Sequence, residues 1–576
     1  MQMHLDFCFS RFRNSLMVEY DLRSISTMHD KNFLKEHAVY QIYPVSFCDS
    51  NRDGIGDLRG IISKLDYLYG IGIRTIWLSP IYASPMVDFG YDISDYRKIN
   101  PLFGTMEDFD ALMKETKKRG MKVIMDLVVN HTSDQHEWFQ EALKEKDSPY
   151  RDYYYFRKGK IDKNGKYTYP NNWTSNFMGP AWESVPGEEG MYYLHIFTKQ
   201  QPDLNWHSPS VLKEVEDIIR FWMDKGIYGF RCDVISEIYK ESLEDGSTKK
   251  PSSQPIGMEH YLATEGNHKI LKTIQKDVIS GYGGVLIGEC GGSITIEDGR
   301  KFLDEELDTF FEFDIANCYK GLLSNRIDMK LFKKTLISWI EGVDWHGNYL
   351  ENHDQRRVFQ RYVDGKYDDF GAKMLLVLQY TLRGTPFIYM GQEYGAHNYP
   401  KPIAIDECKD IVTKNVYQMV KGYHAPRFLA EKIAHKFGRD DERAPMAYDE
   451  TPTHGFTSSN VKPWQKFNPY SDIYNAKTQL EKEDGILRFF KEINQLREDN
   501  EVLSHGSIDF SVDDSSLKDV LCYTRADEKN TILVILNLSN HQRKMPSCYH
   551  NQRLLLSNYK TREGKLRPYE ALVLEA

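Results

Sequence analysis

The sequence predicts an α/β protein: a (β/α)8 TIM barrel with an inserted subdomain after strand 3 and a C-terminal antiparallel β domain. Three observations lead there. From about residue 37, short apolar runs alternate with amphipathic stretches, the pattern of parallel strands covered by helices. Two segments, 132 to 205 and 396 to about 480, are too long for ordinary barrel loops. Beyond residue 500 the pattern changes to alternating runs with turns between them.

The barrel strands are expected at Ala38 to Pro44 (AVYQIYP), Thr75 to Leu78 (TIWL), Lys122 to Asp126 (KVIMD) and Gly229 to Asp233 (GFRCD). The remaining four are Val285 to Glu289 (VLIGE), Thr309 to Glu312 (TFFE), Asn348 to Glu351 (NYLE) and Pro386 to Tyr389 (PFIY). Between them MEDFDALMKETKKRGMK and SVLKEVEDIIRFWMDKG carry apolar residues three or four apart, with a Gly to close the last turn. The domains that follow are an N-terminal extension (1–28), a barrel (29–131 and 206–500), an inserted subdomain (132–205) rich in Tyr, Trp, Asn and Pro, and a β-sandwich-like C-terminal domain (501–576). The second insertion, 396 to about 480, reads as loop-rich. In the last domain LCYTR, TILVILNLS and RLLLSNY are the expected strands.

Composition narrows the function. The 576 residues include 74 Lys plus Arg against 84 Asp plus Glu, a net charge of −10 that disfavours nucleic acid or an anionic membrane as the main partner. No apolar run approaches the roughly 18 residues of a membrane span. Aromatic residues make up 13%, and flat rings suit sugar binding as well as core packing. The eight cysteines show no paired spacing, so a disulfide framework or zinc site is not expected. Residues 1–28 break every apolar run with charge, unlike a secretory signal, and Met28 is an alternative start. The expectation is a cytoplasmic enzyme, monomeric or weakly homo-oligomeric, acting on a small molecule.

Three strands end in a carboxylate: GFRCDV in Asp233, VLIGEC in Glu289 and YLENHDQ in Asp354. In a barrel those ends converge on one mouth, where catalytic groups sit. Glycosidic bond hydrolysis with retention needs two carboxyl groups about 5 to 5.5 Å apart, which neighbouring strands can supply. Arg231, two residues before Asp233 and on the same strand face, is placed to keep that carboxylate ionised, and Glu289 at an apolar strand end suits the role of acid.

These residues sit within an ordered series: GIRTIWLSPIY (71–81), FGYDISDY (89–96), DLVVNH (126–131), QPDLNW (201–206), GFRCDV (229–234), IGEC (287–290), ENHDQ (351–355) and GTPFIYMGQEYG (384–395). The series resembles the α-amylase superfamily of retaining α-glycosidases (glycoside hydrolase family 13), in its oligo-1,6-glucosidase and dextran glucosidase branch. The resemblance implies that Asp233 is the nucleophile forming a β-glucosyl ester, that Glu289 is the acid and later the base, and that Asp354 holds sugar hydroxyls. It places Asp88, Tyr91, His131, Arg231 and His353 in the glucose pocket, with Tyr91 as a stacking platform. Arg439 is expected to pair with Asp88 and close the pocket, favouring attack at the non-reducing end of isomaltose and short isomalto-oligosaccharides. Val234, directly after the nucleophile, is the residue type that resembles α-1,6-specific members, as does Gln201 at the head of its motif.

A second motif, Asp49-Ser-Asn51-Arg-Asp53-Gly-Ile55-Gly-Asp57, spaces oxygen donors as in a calcium loop. Gly60 stands where an EF-hand has Glu, so the loop resembles the family's structural Ca²⁺ or Mg²⁺ site, with Asp49, Asn51, Asp53, Asp57 and the Ile55 carbonyl as ligands. Several positions depart from the branch. Arg356 follows NHDQ in place of Pro, Cys290 follows the acid, and Ala447 and Tyr448 stand in PMAYDE, a segment expected near the leaving group. Cys232 and Cys290 flank the two catalytic carboxylates and are either thiol-sensitive or inert through burial. An α-1,4-glucosidase and a trehalose-6-phosphate hydrolase remain alternatives. A sucrose isomerase is disfavoured because no Arg-Leu-Asp-Arg-Asp segment lies between strands six and seven, and a non-catalytic transporter-associated homologue because the triad is intact and no span is present.

Overall fold

The computed structural model describes residues 32–249, 254–321, 324–365, 368–458, 460–561 and 563–576, so the 1–28 extension lies outside the described residues. Eight parallel strands form the barrel: β1 (Val39–Ile42), β2 (Thr75–Leu78), β3 (Lys122–Leu127), β4 (Gly229–Cys232), β5 (Val285–Glu289), β6 (Thr309–Phe311), β7 (Gly347–Asn348) and β8 (Thr385–Tyr389). They pair in the order β6-β5-β4-β3-β2-β1-β8-β7. Each expected strand is present, within about three residues at either end. The ladder is open only between β6 and β7, where Gly347 lets the backbones touch: a Cβ there would lie 2.8 Å from the Phe310 carbonyl oxygen.

Side chains that point inward fill the barrel. Val39, Trp77, Ile124, Val285, Ile287, Phe311 and Phe387 form one buried cluster, with Trp77 stacked on Phe311 at 5.9 Å. The outer faces of the same strands meet the helices. Met106–Lys118 starts on a capping box between Thr105 and Asp108, and buries Phe109 and Leu112. Pro209–Asp224 opens with Pro, whose missing N–H is not needed in a first turn, and buries Val211, Val215, Ile218, Ile219 and Trp222.

The subdomain at 132–205 carries the helix Glu137–Lys144 and a three-stranded antiparallel sheet of Phe156–Lys158, Met191–Leu194 and Trp182–Ser184. Its core of Tyr155, Trp173, Trp182, Leu194 and Ile196 is completed by Met258 and Tyr261 from the loop after β4. A buried ion pair, Lys240 Nζ to Asp203 Oδ2 at 2.6 Å, fastens it over the barrel mouth.

The second insertion differs from the loop-rich expectation. Ile411–Gly422 and Arg427–Phe437 are two helices packed together, and Val416, Val420, Ala430 and Ala434 lie in a small core of their own. Apolar spacing of three to four residues is present in IVTKNVYQMV and RFLAEKIAHKF, and that amphipathicity outweighs the surrounding turns.

The C-terminal domain is one five-stranded antiparallel sheet ordered Ser507–Asp509, Val520–Ala526, Thr531–Asn537, Ala571–Glu575 and Arg553–Ser557, with a two-stranded ribbon of Arg543–Lys544 and Lys565–Leu566 beside it. Alternation along Val520–Ala526 sorts its side chains between two layers: Leu521 and Tyr523 join the main core, while Val520 and Cys522 face an outer cluster with Leu533, Leu566 and Leu574. Opposite the sheet the outer cluster is covered by Leu566 of the ribbon and by Leu517, Met545 and Tyr549 from the connecting segments.

Arg525 ties this domain to the barrel. Fully buried, it donates to the carbonyls of Thr381 (2.8 Å), Leu503 (2.9 Å), Gly506 (2.8 Å) and Ser507 (3.0 Å). An Arg525→Met variant takes the donor from three buried carbonyls, those of Thr381, Leu503 and Gly506, and is expected to lose about 3 kcal/mol. A thermal melt should show a midpoint lowered by several degrees, with turnover at 25 °C within about twofold of the parent.

Candidate active site

The mouth of the barrel holds a 370 Å³ cavity lined by Asp88, Tyr91, His131, Asp233, Glu289, Asp354 and Arg439 among the residues expected from the sequence. Two expected members, Arg231 and His353, stand behind the lining and act on it. They are fully buried, at 2% and 1% exposure.

Arg231 lies on β4 in register with Asp126 on β3 and Ile287 on β5. Its Nη1 donates to Asp126 Oδ1 and to Asp233 Oδ1, each at 2.6 Å, and its Nη2 reaches Glu289 Oε2 at 2.6 Å. The planar fork therefore holds the two expected catalytic carboxylates on adjacent nitrogens. Arg231 thus contacts Asp233, as its place on the strand implied, and bridges Glu289 as well. Burial pushes the Asp233 carboxyl well above its ordinary range; Arg231 pulls it down, and Glu289 and Asp126 push it further up. Asp126 is raised to about 6 by burial, against the pull of Arg231.

Val234 is not a strand residue. β4 stops at Cys232, and Val234 adopts φ 40° and ψ 38°, a left-handed conformation rarely taken by β-branched side chains. In that pose its N–H donates to Glu289 Oε2 at 3.1 Å. The strain places an amide on the acid and the valine side chain in the lining beside it.

The opposite end is sealed by charge. Arg439 Nη2 donates to Asp88 Oδ1 at 2.8 Å, as expected, and Nη1 to Asp354 Oδ1 at 3.2 Å. Asp410 and Arg443 complete this network and were not anticipated. Asp410 Oδ1 accepts from Arg439 Nη2 at 2.7 Å and Nε at 2.9 Å, and Arg443 Nη2 donates to Asp354 Oδ1 at 2.8 Å. Burial opposes charge on Asp354, but His353, Arg439 and Arg443 together hold it well below the usual carboxylate range. Asp410, likewise buried, is brought to about 2 by Arg439 and Arg443. The one sequence trace of Arg443 is its place four residues after Arg439 in GRDDER.

The histidines are neutral donors. Burial lowers His353 to about 3 and His131 to about 4. Gln41 Nε2 donates to His353 Nδ1 at 2.8 Å, which leaves Nε2–H directed at Asp354 Oδ2, 3.3 Å away. The His353 ring stacks on Tyr91 with centroids 5.3 Å apart and planes 3° from parallel. His131 Nε2 donates to the Tyr91 carbonyl at 3.0 Å, and Gln201 Nε2 reaches the same carbonyl at 3.2 Å and Asp88 Oδ2 at 3.3 Å. The platform of Tyr91 is thus fixed from both sides.

Other expectations change. Ala447 and Tyr448 lie away from the lining: Tyr448 donates to the Phe47 carbonyl at 2.9 Å inside the core. Arg356 pairs with Asp441 at 2.7 Å. Cys232 and Cys290 are fully buried and burial pushes both thiols up, so inertness is the reading that holds.

In the oxygen-rich loop, Asp49 Oδ2 accepts from Gly54 N at 2.8 Å, Asn51 Oδ1 from Asp53 N at 2.9 Å, Asp53 Oδ1 from Ile55 N at 2.8 Å and Asp57 Oδ1 from Gly60 N at 2.7 Å. Gly54, at φ 90°, passes so close to Lys462 that a Cβ would lie 2.3 Å from its carbonyl oxygen. Among the described residues no three acidic, His or Cys side chains gather as a metal cage. The donors fit a hard cation in kind, since each oxygen used by an amide keeps a second lone pair and Asn51 and the Ile55 carbonyl add to the set.

The alpha-amylase catalytic-domain family matches residues 41–506. An oligo-1,6-glucosidase of Parageobacillus thermoglucosidasius is 42% identical over 564 residues, covering 94% of this chain and 98% of the relative. Among solved structures, a trehalose-6-phosphate hydrolase of Bacillus licheniformis superposes with a TM-score of 0.84 at 36% identity, covering 94% of this chain and 99% of that one. A trehalulose synthase of Pseudomonas mesoacidophila superposes with a TM-score of 0.87 at 35% identity and the same coverage.

Replacing Arg231 by Met removes the contribution that lowers Asp233 and leaves those that raise it. The acid limb of the kcat/KM profile on a chromogenic α-glucoside should therefore move to higher pH, with a loss of about 10³-fold at pH 6. An unmoved limb would contradict the shared-guanidinium account.

Proposed function

This chain belongs to the α-amylase family of glycoside hydrolases, and from that premise we propose that it is a retaining, exo-acting oligo-1,6-glucosidase that releases glucose from the non-reducing end of isomaltose and short isomalto-oligosaccharides. The observation that carries the reading is the single guanidinium holding Asp233 and Glu289 at the open side of a pocket whose other end Asp88 and Arg439 close. A terminal glucose enters with its 4-hydroxyl side toward that ion pair, and no room remains for a longer chain beyond it.

In the first step Asp233 attacks C1 while Glu289 gives its proton to the departing oxygen, forming a β-glucosyl ester. Glu289 then takes a proton from water, which attacks C1 from the vacated face and releases Asp233. Asp354, kept ionised by Arg439 and Arg443, holds sugar hydroxyls, with the His353 N–H beside it. Tyr91 offers its face to the ring. The α-1,6 preference is supported by Val234, whose left-handed pose projects a β-branched side chain beside the acid. A phosphorylated leaving group is poorly served: among the described residues the lining sets Asp88, Asp233, Glu237, Glu289 and Asp354 against Arg439 alone.

We also assign a structural Ca²⁺ or Mg²⁺ to the loop of Asp49, Asn51, Asp53, Ile55 and Asp57. An all-oxygen donor set and the tight turn at Gly54 support it. A cytoplasmic location is supported by free, buried cysteines at 48, 232, 290, 318, 408 and 522, and among the described residues no helix is long and apolar enough to cross a membrane.

The function is tested by initial rates of glucose release from isomaltose, maltose, sucrose, trehalose and trehalose 6-phosphate, with Asp233→Asn as the blank. Isomaltose is expected to lead by at least about tenfold, and Val234→Ala to narrow its lead over maltose by a similar factor. A lead by maltose in the parent enzyme would sink the linkage assignment. For the cation, protein stripped with a chelator should melt several degrees higher once Ca²⁺ or Mg²⁺ is restored, as for any ligand bound only by the folded state. Asp53→Ala should abolish that gain; a flat melting curve across the titration would refute the site.

A further inference from the structure

Glu237 is a carboxylate in the cavity wall with no part in the scheme above. It ends the short turn Ile235–Glu237 that follows left-handed Val234, and it is 4% exposed. Asn176, from the inserted subdomain, donates to its Oε2 at 3.3 Å. Its Oε1 points past Gly291, two residues beyond Glu289, where an added Cβ would stand 3.5 Å away. Among the described residues Oε1 takes no hydrogen bond. Lys240, the cation one turn along, is turned elsewhere: its Nζ binds Asp203 Oδ2 at 2.6 Å, Asn130 Oδ1 at 2.6 Å and the backbone carbonyl of Glu237 at 3.0 Å.

The side of the pocket follows from the chemistry. Glu289 must face the glycosidic oxygen, so the leaving sugar departs past Glu289, while Asp88, Arg439 and Tyr91 hold the glucose that is transferred. Glu237 faces Glu289 and lies against the segment that continues from it, on the leaving-group side. In the cavity wall Oε1 has no protein donor among the described residues, so a group bound in the cavity can supply one. Burial raises Glu237 to about 7, and Lys240 lowers it in part, so the carboxyl is readily ionised when a cation approaches.

We propose that Glu237 is a specificity-determining residue for the leaving sugar, accepting a hydrogen bond from it and ranking leaving groups by charge, with a cationic amino sugar above neutral glucose and a phosphorylated sugar last. The proposal rests on the glucosidase reading and extends it to the other half of the same pocket. A purely structural role, anchoring Asn176, would be filled as well by glutamine, which keeps the volume and an acceptor oxygen but not the charge.

The experiment compares kcat/KM at pH 7 for three disaccharides that share one linkage and differ only in the leaving sugar: glucosamine, glucose, and glucose carrying a phosphate. The parent enzyme should favour the amine over the neutral sugar by about tenfold, and the phosphorylated sugar should be slowest. Glu237→Gln should bring the amine and neutral substrates within about twofold, whereas Glu237→Asp should keep the order. A parent enzyme indifferent to charge, or a preference that survives Glu237→Gln, overturns the proposal. If the α-1,6 series is not cleaved but an α-1,4 series is, the linkage assignment fails by itself, and the same three ratios measured on the α-1,4 series decide the role of Glu237.

Discussion

Everything at the mouth of this barrel depends on one buried guanidinium. Arg231 is at 2% exposure, and three carboxylates, Asp126, Asp233 and Glu289, lean on its two terminal nitrogens at 2.6 Å. Three acids sharing one buried cation hold an excess of negative charge that water cannot screen, and removing one partner from such a cluster costs several kcal/mol, about 3 to 5. Neighbouring strands deliver the charges: Asp126 on β3 is level with Arg231 on β4, while Asp233 just past β4 and Glu289 at the end of β5 stand two residues further along, and the fork fixes these two carboxylates relative to one another. Trp77, with the guanidinium 5.1 Å above its ring, supports the cation from within the barrel.

The second charged network balances the first. Arg439 and Arg443 are two buried cations shared by Asp88, Asp354 and Asp410, and they keep Asp354 and Asp410 ionised where burial would neutralise them. Burial pushes Asp233 and Asp126 up, while the two arginines hold Asp354 and Asp410 down, so environment separates chemically identical side chains by their readiness to ionise. The insertions supply part of the wall at both ends. The subdomain fastened by Lys240 and Asp203 brings Asn176 and Phe177 over the mouth, and the second insertion brings Asp410, Arg439 and Arg443 to its far side.

The barrel was legible because its signal is local. Apolar runs such as VLIGE and TIWL and the spacing in SVLKEVEDIIRFWMD report strand and helix whatever surrounds them, and the ends of β5 and β2 were read to the residue. The helix pair at 411–437 has visible periodicity, but the turn residues on either side give its segment the composition of a loop. Placing Ala447 and Tyr448 near the leaving group failed for a different reason: a segment's neighbours in sequence say little about which face of the core it enters.

By itself the sequence determined the barrel strands and the helices between them and the carboxylates that follow three strands, because these are carried by residue type and spacing along the chain, and its motif series resembles the family from which the Asp88 and Arg439 pairing was expected. Only the tertiary structure decided that Arg231 bridges Asp233 and Glu289, that Asp410 and Arg443 complete the closed end, that Val234 is left-handed with its amide on Glu289, and that Glu237 lines the same cavity. These are relations through space between segments far apart in sequence, or a backbone conformation that a valine adopts only when its surroundings impose it, and neither has a local signature.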